Sequence, residues 1–194
     1  MRKVERSEVL PLGEYETIRP RFLERIIAAK KHRRLAAGDH MTFIWENRDT
    51  VLFQIQEMLR VERITREKAI QHEIDTYNEL VPGDGELFAT LMIEYDDAEE
   101  RSRALEELAN LKDHLRLRLG PRFAPARFEA LPGEEEDRLP AVNYVRFRVG
   151  PEAAAALRDA SVPCALEITH PAYPVEARLP EALRAELADD LEEP

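Results

Sequence analysis

The stretch ENRDTVLFQIQEMLRVERI, residues 46–64, restricts the possible folds more than any other part of the chain. Its apolar residues recur at helical spacing. On a wheel with Ile55 at the origin, Val51, Leu52, Met58 and Leu59 fall within about 60° of it. Phe53, Val61 and Ile64 make a second apolar face on the opposite side. A surface helix shows one apolar stripe, so a helix with two has to be packed between other elements. Charges nevertheless lie in both stripes: Arg48 and Glu62 near the Ile55 line, Glu57 in the other. Removing an ion from water is costly unless a partner compensates it. Arg48 and Glu62 stand roughly 21 Å apart along the helix and cannot pair with each other. The sequence therefore predicts that Arg48, Glu57 and Glu62 form a buried charged cluster, either a structural network or a site. Their partners are expected from the basic helix before this one and the helix after it.

The preceding helix is read from LGEYETIRPRFLERIIAAKKHRRLAAGDH. Phe22, Ile26 and Ala29 recur about once per turn, Pro20 suits a first turn, and Gly38 suits the left-handed residue beyond a helix end. HMTFIWEN follows with strand composition. A third helix, about residues 66–80, carries Ile70, Ile74 and Tyr77 on one stripe and stops at VPGDGE. Charge shifts at the same place. Residues 1–81 hold 15 Lys+Arg against 14 Asp+Glu, and residues 82–194 hold 13 against 25. A subdomain boundary is expected near residue 83. Residues 1–83 would form a helical subdomain with one short strand, and residues 84–194 a second subdomain ending in a tail and a helix.

Beyond residue 83 the periods alternate between two and 3.6. Strand 86–95, helix 97–117, strand 122–130, strand 140–149, helix 151–160 and strand 163–169 give the order βαββαβ, with an acidic loop, LPGEEEDRLP, between the middle strands. That order predicts an α+β fold, an N-terminal helical subdomain packed on a ferredoxin-like antiparallel sheet. Val145, Phe147 and Val149 would face its own helices, and Tyr144, Arg146 and Arg148 the other way. Phe88, Thr90 and Met92 share that second face, where the N-terminal helices are expected to dock. HPAYPVEARLP reads as a tail strand or loop before a short last helix.

The candidate sites are sparse. Lys30, Lys31, Arg33 and Arg34 form the strongest cationic cluster; they either complement a helix dipole or make an anion-binding seat. Glu57, Glu62, His72 and Asp75 can be drawn as metal ligands, but His72 and Asp75 fall off the apolar stripe and read as a solvated face, so no metal and no cofactor are expected. The lone Cys164 cannot make an internal disulfide or a thiolate cluster. No activated nucleophile, Walker loop or dinucleotide fingerprint is present. The acidic second half disfavours nucleic acid. No apolar run is long enough for a bilayer, and MRKVERSEVLPL lacks a signal-peptide core, so the expected location is the cytoplasm.

PLGEYETIRPRF, ENRDTVLFQIQEMLRVERI, HEIDTYNELVPGDGELFATLMIE and HPAYPVEARLP together resemble an uncharacterised bacterial family, domain-of-unknown-function family 3501. The resemblance covers nearly the whole chain. Its members are often encoded beside a rubrerythrin-like protein and an iron–sulfur protein, which implies a role in redox chemistry or peroxide defence and a protein partner of one of those kinds. It implies no catalytic residues. Three classes stay open: a non-catalytic accessory protein of such a system, a small-molecule or anion-binding regulatory domain, and a carboxylate-based metal-dependent enzyme.

Overall fold

A computed structural model describes residues 1–129, 139–150 and 152–192. Most of the acidic loop read at 131–140 lies outside the described residues. The elements are α1 (Leu12–His32), β1 (Arg34–Ala36), β2 (Met41–Glu46), α2 (Arg48–Val61), α3 (Glu67–Tyr77), β3 (Glu86–Ile93), α4 (Ala98–Glu107), β4 (Leu115–Leu119), β5 (Arg122–Glu129), β6 (Val142–Arg148), α5 (Ala153–Arg158), β7 (Cys164–Ile168), β8 (Val175–Arg178) and α6 (Glu181–Glu192).

The strands form one eight-stranded sheet in the order β1-β2-β3-β6-β5-β4-β7-β8, antiparallel at every pairing. This sheet curls into a nearly closed barrel and is not the expected ferredoxin-like βαββαβ arrangement. Two departures produce the difference. First, the helix expected over 97–117 ends at Glu107, and residues 115–119 form β4. Leu105, Leu108, Leu111 and Leu115 have helical spacing, but LRLRL alternates, and tertiary pairing with β5 and β7 selects the period of two. Second, β1, β2 and β8 extend the sheet at both ends. α1 begins at Leu12, holds Pro20 within it and stops at His32, six residues before Gly38, which leaves Arg34–Ala36 free to pair with β2.

The two edges meet at Tyr173. Its hydroxyl donates to the Ala37 carbonyl at 2.9 Å and accepts from the His40 backbone N–H at 2.8 Å. Gly38 makes that approach possible: its φ is +72°, and a Cβ there would lie 2.5 Å from the Tyr173 oxygen.

Strand alternation sends Met41, Phe43, Trp45, Leu87, Leu91, Leu117, Phe147 and Leu166 into the barrel, where α4, α5 and α6 complete the core with Leu105, Leu157 and Leu187. The opposite face of β3 carries Phe88 into a second cluster, with Val51, Ile55 and Leu59 of α2 and Ile70, Ile74 and Tyr77 of α3. The N-terminal helices thus dock on the face that Phe88 occupies. The extended segment before α1 is held by amides rather than by strands. The Asn78 side chain accepts from the Val4 N–H and donates to its carbonyl (2.8 and 2.9 Å), and Gln56 does the same for Leu10 (2.6 and 3.3 Å). Among the described residues, no helix is long and apolar enough to cross a membrane.

Candidate functional site

The charges of α2 separate into two kinds. Glu57, with 18% of its side chain exposed, accepts from Tyr15 Oη at 2.7 Å and from both Nε and a terminal nitrogen of Arg19 at 2.8 Å. Arg60, one turn on, adds two longer bonds. The Arg19 bonds, outweighing burial, hold the Glu57 carboxyl at about 2. Burial and the neighbouring Glu57 push the Tyr15 phenol up. Arg48 pairs with Glu8, in the turn ahead of α1, and Glu8 also receives Arg2 and the Glu5 N–H. These contacts fasten α1 and the N-terminal turn onto α2.

Glu62 does not join them. It is exposed and makes no ion pair among the described residues. The helix ends at Val61, and a Schellman closure follows: the Ile64 N–H donates to the Leu59 carbonyl at 2.9 Å, with Arg63 left-handed at φ +52°. Past that closure the wheel no longer describes where a side chain points.

The four cations expected at the end of the first helix are also dispersed. Arg33, 2% exposed, forms a bidentate pair with Asp190 of α6 at 2.6 and 2.7 Å, and Glu186 lies 3.0 Å away. Burial opposes its charge, yet Asp190 and Glu186 carry its pKa above the ordinary value. The anion it binds is internal. Arg34, on β1, is exposed and bonds Thr42, while Lys31 is exposed on the outer side of α1. Lys30 is half-buried and faces the sheet. His72 and Asp75 are exposed, and among the described residues no group of three or more His, Cys, Asp or Glu side chains is placed to hold a metal.

Lys30 lines a cleft of about 210 Å³ between the helices and the sheet. The floor is a cross-strand row, Ile44 of β2 beside Thr90 of β3 beside Tyr144 of β6, flanked by Glu46 and Met92. The roof is Thr50, Val51 and Gln54 of α2 with Tyr77 and Leu80. Glu46 accepts from Thr90 Oγ1 at 2.8 Å and makes no ion pair among the described residues, and the Lys30 ammonium makes neither a hydrogen bond nor an ion pair there. Burial pushes the Tyr77 phenol up, against a hydrogen bond from Gln54. The cleft therefore brings together a lysine, a glutamate and the Tyr77 phenol. Neither threonine hydroxyl of the cleft is bonded to a histidine. Thr50 Oγ1 donates to the Asn47 carbonyl at 2.9 Å, and Thr90 Oγ1 donates to the Glu46 carboxylate.

Sequence reasoning reached Lys30 but not Glu46, Thr90 or Tyr144 as site residues. Their convergence depends on the β2–β3–β6 register, which joins segments about 50 residues apart and leaves no local signature.

A solved structure from Burkholderia pseudomallei K96243, described as a novel protein of unknown function, superposes with a TM-score of 0.90 at 35% identity, covering 98% of this chain and 100% of that one. No curated protein matches the sequence. The profile of the family described as protein of unknown function (DUF3501) matches residues 3–191, and with that match spanning nearly every element above, the chain belongs to this family.

Proposed function

We propose that this protein acts by binding rather than by catalysis, and that its ligand is a small molecule carrying both an anionic and a cationic group, held in the cleft between Lys30 and Glu46. The observation that carries the reading is a pair of unlike charges without ion-pair partners at one cleft, in a protein that pairs Arg33, Arg48 and Glu57 with opposite charges. The volume of about 210 Å³ lies below the roughly 300–1,000 Å³ usual for drug-sized ligands, which restricts the ligand to metabolite size. The roof is built from α1, α2 and α3, so occupancy bears on how the helical layer sits and can be read by a partner. The resemblance in sequence supplies the setting, an accessory role in a bacterial redox or peroxide-defence system with a rubrerythrin-like or iron–sulfur partner. A buried Cys164, its thiol pushed up by burial, accords with a role by association rather than thiol chemistry.

Thermal shift and calorimetry with the free α-amino acids, each set against its amide and its N-acetyl derivative, test the cleft. At least one zwitterion is expected to stabilise the protein, and Lys30→Met and Glu46→Gln should each abolish that shift without changing the melting point of the free protein. No stabilisation by any zwitterion, or a shift that survives both substitutions, removes the reading. Affinity capture from the native cells under anaerobic conditions tests the setting separately; recovery of neither kind of partner removes it.

A further inference from the structure

The barrel opens where β4 turns into β5 and β6 leads toward α5. A cavity of about 560 Å³ lies there, well within the range of small-molecule sites. Its wall is apolar: Leu119, Ala124, Val149, Ala153, Ala156 and Val162. Leu119, Ala124 and Ala153 belong to the barrel core itself, so the cavity is the open end of that core. The space exists because α5, AAAALR, gives this wall only Ala153 and Ala156, where larger side chains would have completed the packing.

The rim is polar and carries Arg122, Arg148 and Glu152, with Phe123 half exposed beside them. Arg122 pairs with Glu152 across the rim, and Arg148 pairs with Glu86 at 3.0 Å. Both arginines are largely exposed, and exposed pairs of this kind exchange partners at little cost. Glu86 is also bonded by Arg146 at 2.8 Å, so Arg148 is not essential to it. An apolar hollow rimmed by two replaceable guanidinium contacts, in a half of the chain that is otherwise strongly acidic, matches an acid with an apolar body.

We propose that this opening binds an amphipathic monocarboxylate, with its apolar body against the alanines of α5 and its carboxylate on Arg122, displacing Glu152. Arg122 presents a planar fork that suits a carboxylate bidentately. Arg148, on the same rim, adds attraction. In this arrangement Glu152 is the internal competitor for the same guanidinium.

Titration calorimetry of the full chain with octanoate tests the proposal, with octanol and octylamine as the uncharged and cationic probes. Octanoate should bind, and the other two should bind more weakly by about tenfold or more. Arg122→Ala should weaken octanoate by a similar factor, Ala156→Leu should abolish binding by filling the hollow, and Glu152→Gln should tighten it by removing the competitor. Circular dichroism melts of each variant check folding, and Lys30→Met should leave octanoate affinity unchanged. Absence of octanoate binding at millimolar concentration, equal binding of octanol, or binding that survives Ala156→Leu in a folded protein would each overturn the assignment.

Discussion

Inside the barrel, Phe43, Trp45, Leu87, Leu91, Leu117 and Phe147 are almost wholly inaccessible and meet as one apolar cluster drawn from strands throughout the chain. Under the helical layer the apolar contacts of Ile55, Leu59 and Ile74 with Phe88 are framed by Glu57, Arg48, Gln56 and Asn78, each bonded to a named group across the interface. The hydrophobic effect scales with area and has no direction, so it can gather strands without fixing which neighbour each takes. Hydrogen bonds and paired charges have direction. The helical layer uses them to set the positions of α1 and the N-terminal segment, which have no strand ladder to do so. The cleft lies at the seam between these two regimes, where an apolar sheet face meets a roof positioned by polar contacts.

The largest expected effect belongs to the barrel. Phe147→Ala removes a ring that packs 5.5 Å from Trp45 and should cost about 3–5 kcal/mol. Urea denaturation followed by Trp45 fluorescence and by far-ultraviolet circular dichroism should show one coincident, left-shifted transition, because β2 pairs with β3 along six residues and ties the helical layer's floor to the core. Two separated transitions would show that the layers are stabilised independently, and the contrast would then concern two folding units rather than two kinds of contact.

A smaller and pH-dependent effect is expected at the helical seam. Glu57→Gln keeps the shape of the side chain but replaces a charged acceptor of Tyr15, Arg19 and Arg60, at a cost of about 1–3 kcal/mol near neutral pH. Its carboxyl is held at about 2, against an ordinary value of 4.5. A depressed carboxylate binds fewer protons when folded than when unfolded, so its stabilisation is present above pH 4.5 and is lost as pH falls toward 2. Denaturation of both proteins at pH 7 and at a series of values down through that window should show the difference between them shrinking. A constant difference would assign the loss to packing instead of charge. Glu8, also held at about 2, titrates in both proteins and cancels in the comparison.

The same contrast explains which parts of the structure were legible in the sequence. β2, β3, β5, β6 and β7, with α2, α3 and α5, follow from apolar period and turn residues, because local pattern and burial agree there. The leucines at 105, 108, 111 and 115 have the spacing of one helix, and only pairing with β5 and β7 shows that LRLRL is a strand. β1 was hidden within a basic helix tail, and its pairing with β2 is what ends α1 at His32. Closing the sheet at Tyr173 joins residues more than 130 apart, which no window of sequence displays. At the site, Lys30 was visible as part of a cationic run and Arg33 looked the same, yet Arg33 meets Asp190 from the far end of the chain. Glu57 could be placed from the wheel because α2 is regular around it, and Glu62 could not, because the closure at Arg63 and Ile64 ends that regularity.

The smallest effect tests that last distinction. Glu62 follows the final helical residue of α2, is exposed, and has no ion-pair partner among the described residues. Removing its charge takes away nothing the fold uses. A negative charge at a helix C-terminus also faces the negative end of the backbone dipole, so the expected change for Glu62→Gln is within about 0.5 kcal/mol and on the stabilising side. Combined with Glu57→Gln it should be additive, since the two carboxylates share no partner in the structure. Equilibrium denaturation of the two single variants and the double variant measures both quantities. A loss above about 1 kcal/mol at Glu62, or a clear coupling to Glu57, would return Glu62 to the paired network of α2 and contradict the placement of the helix end at Val61.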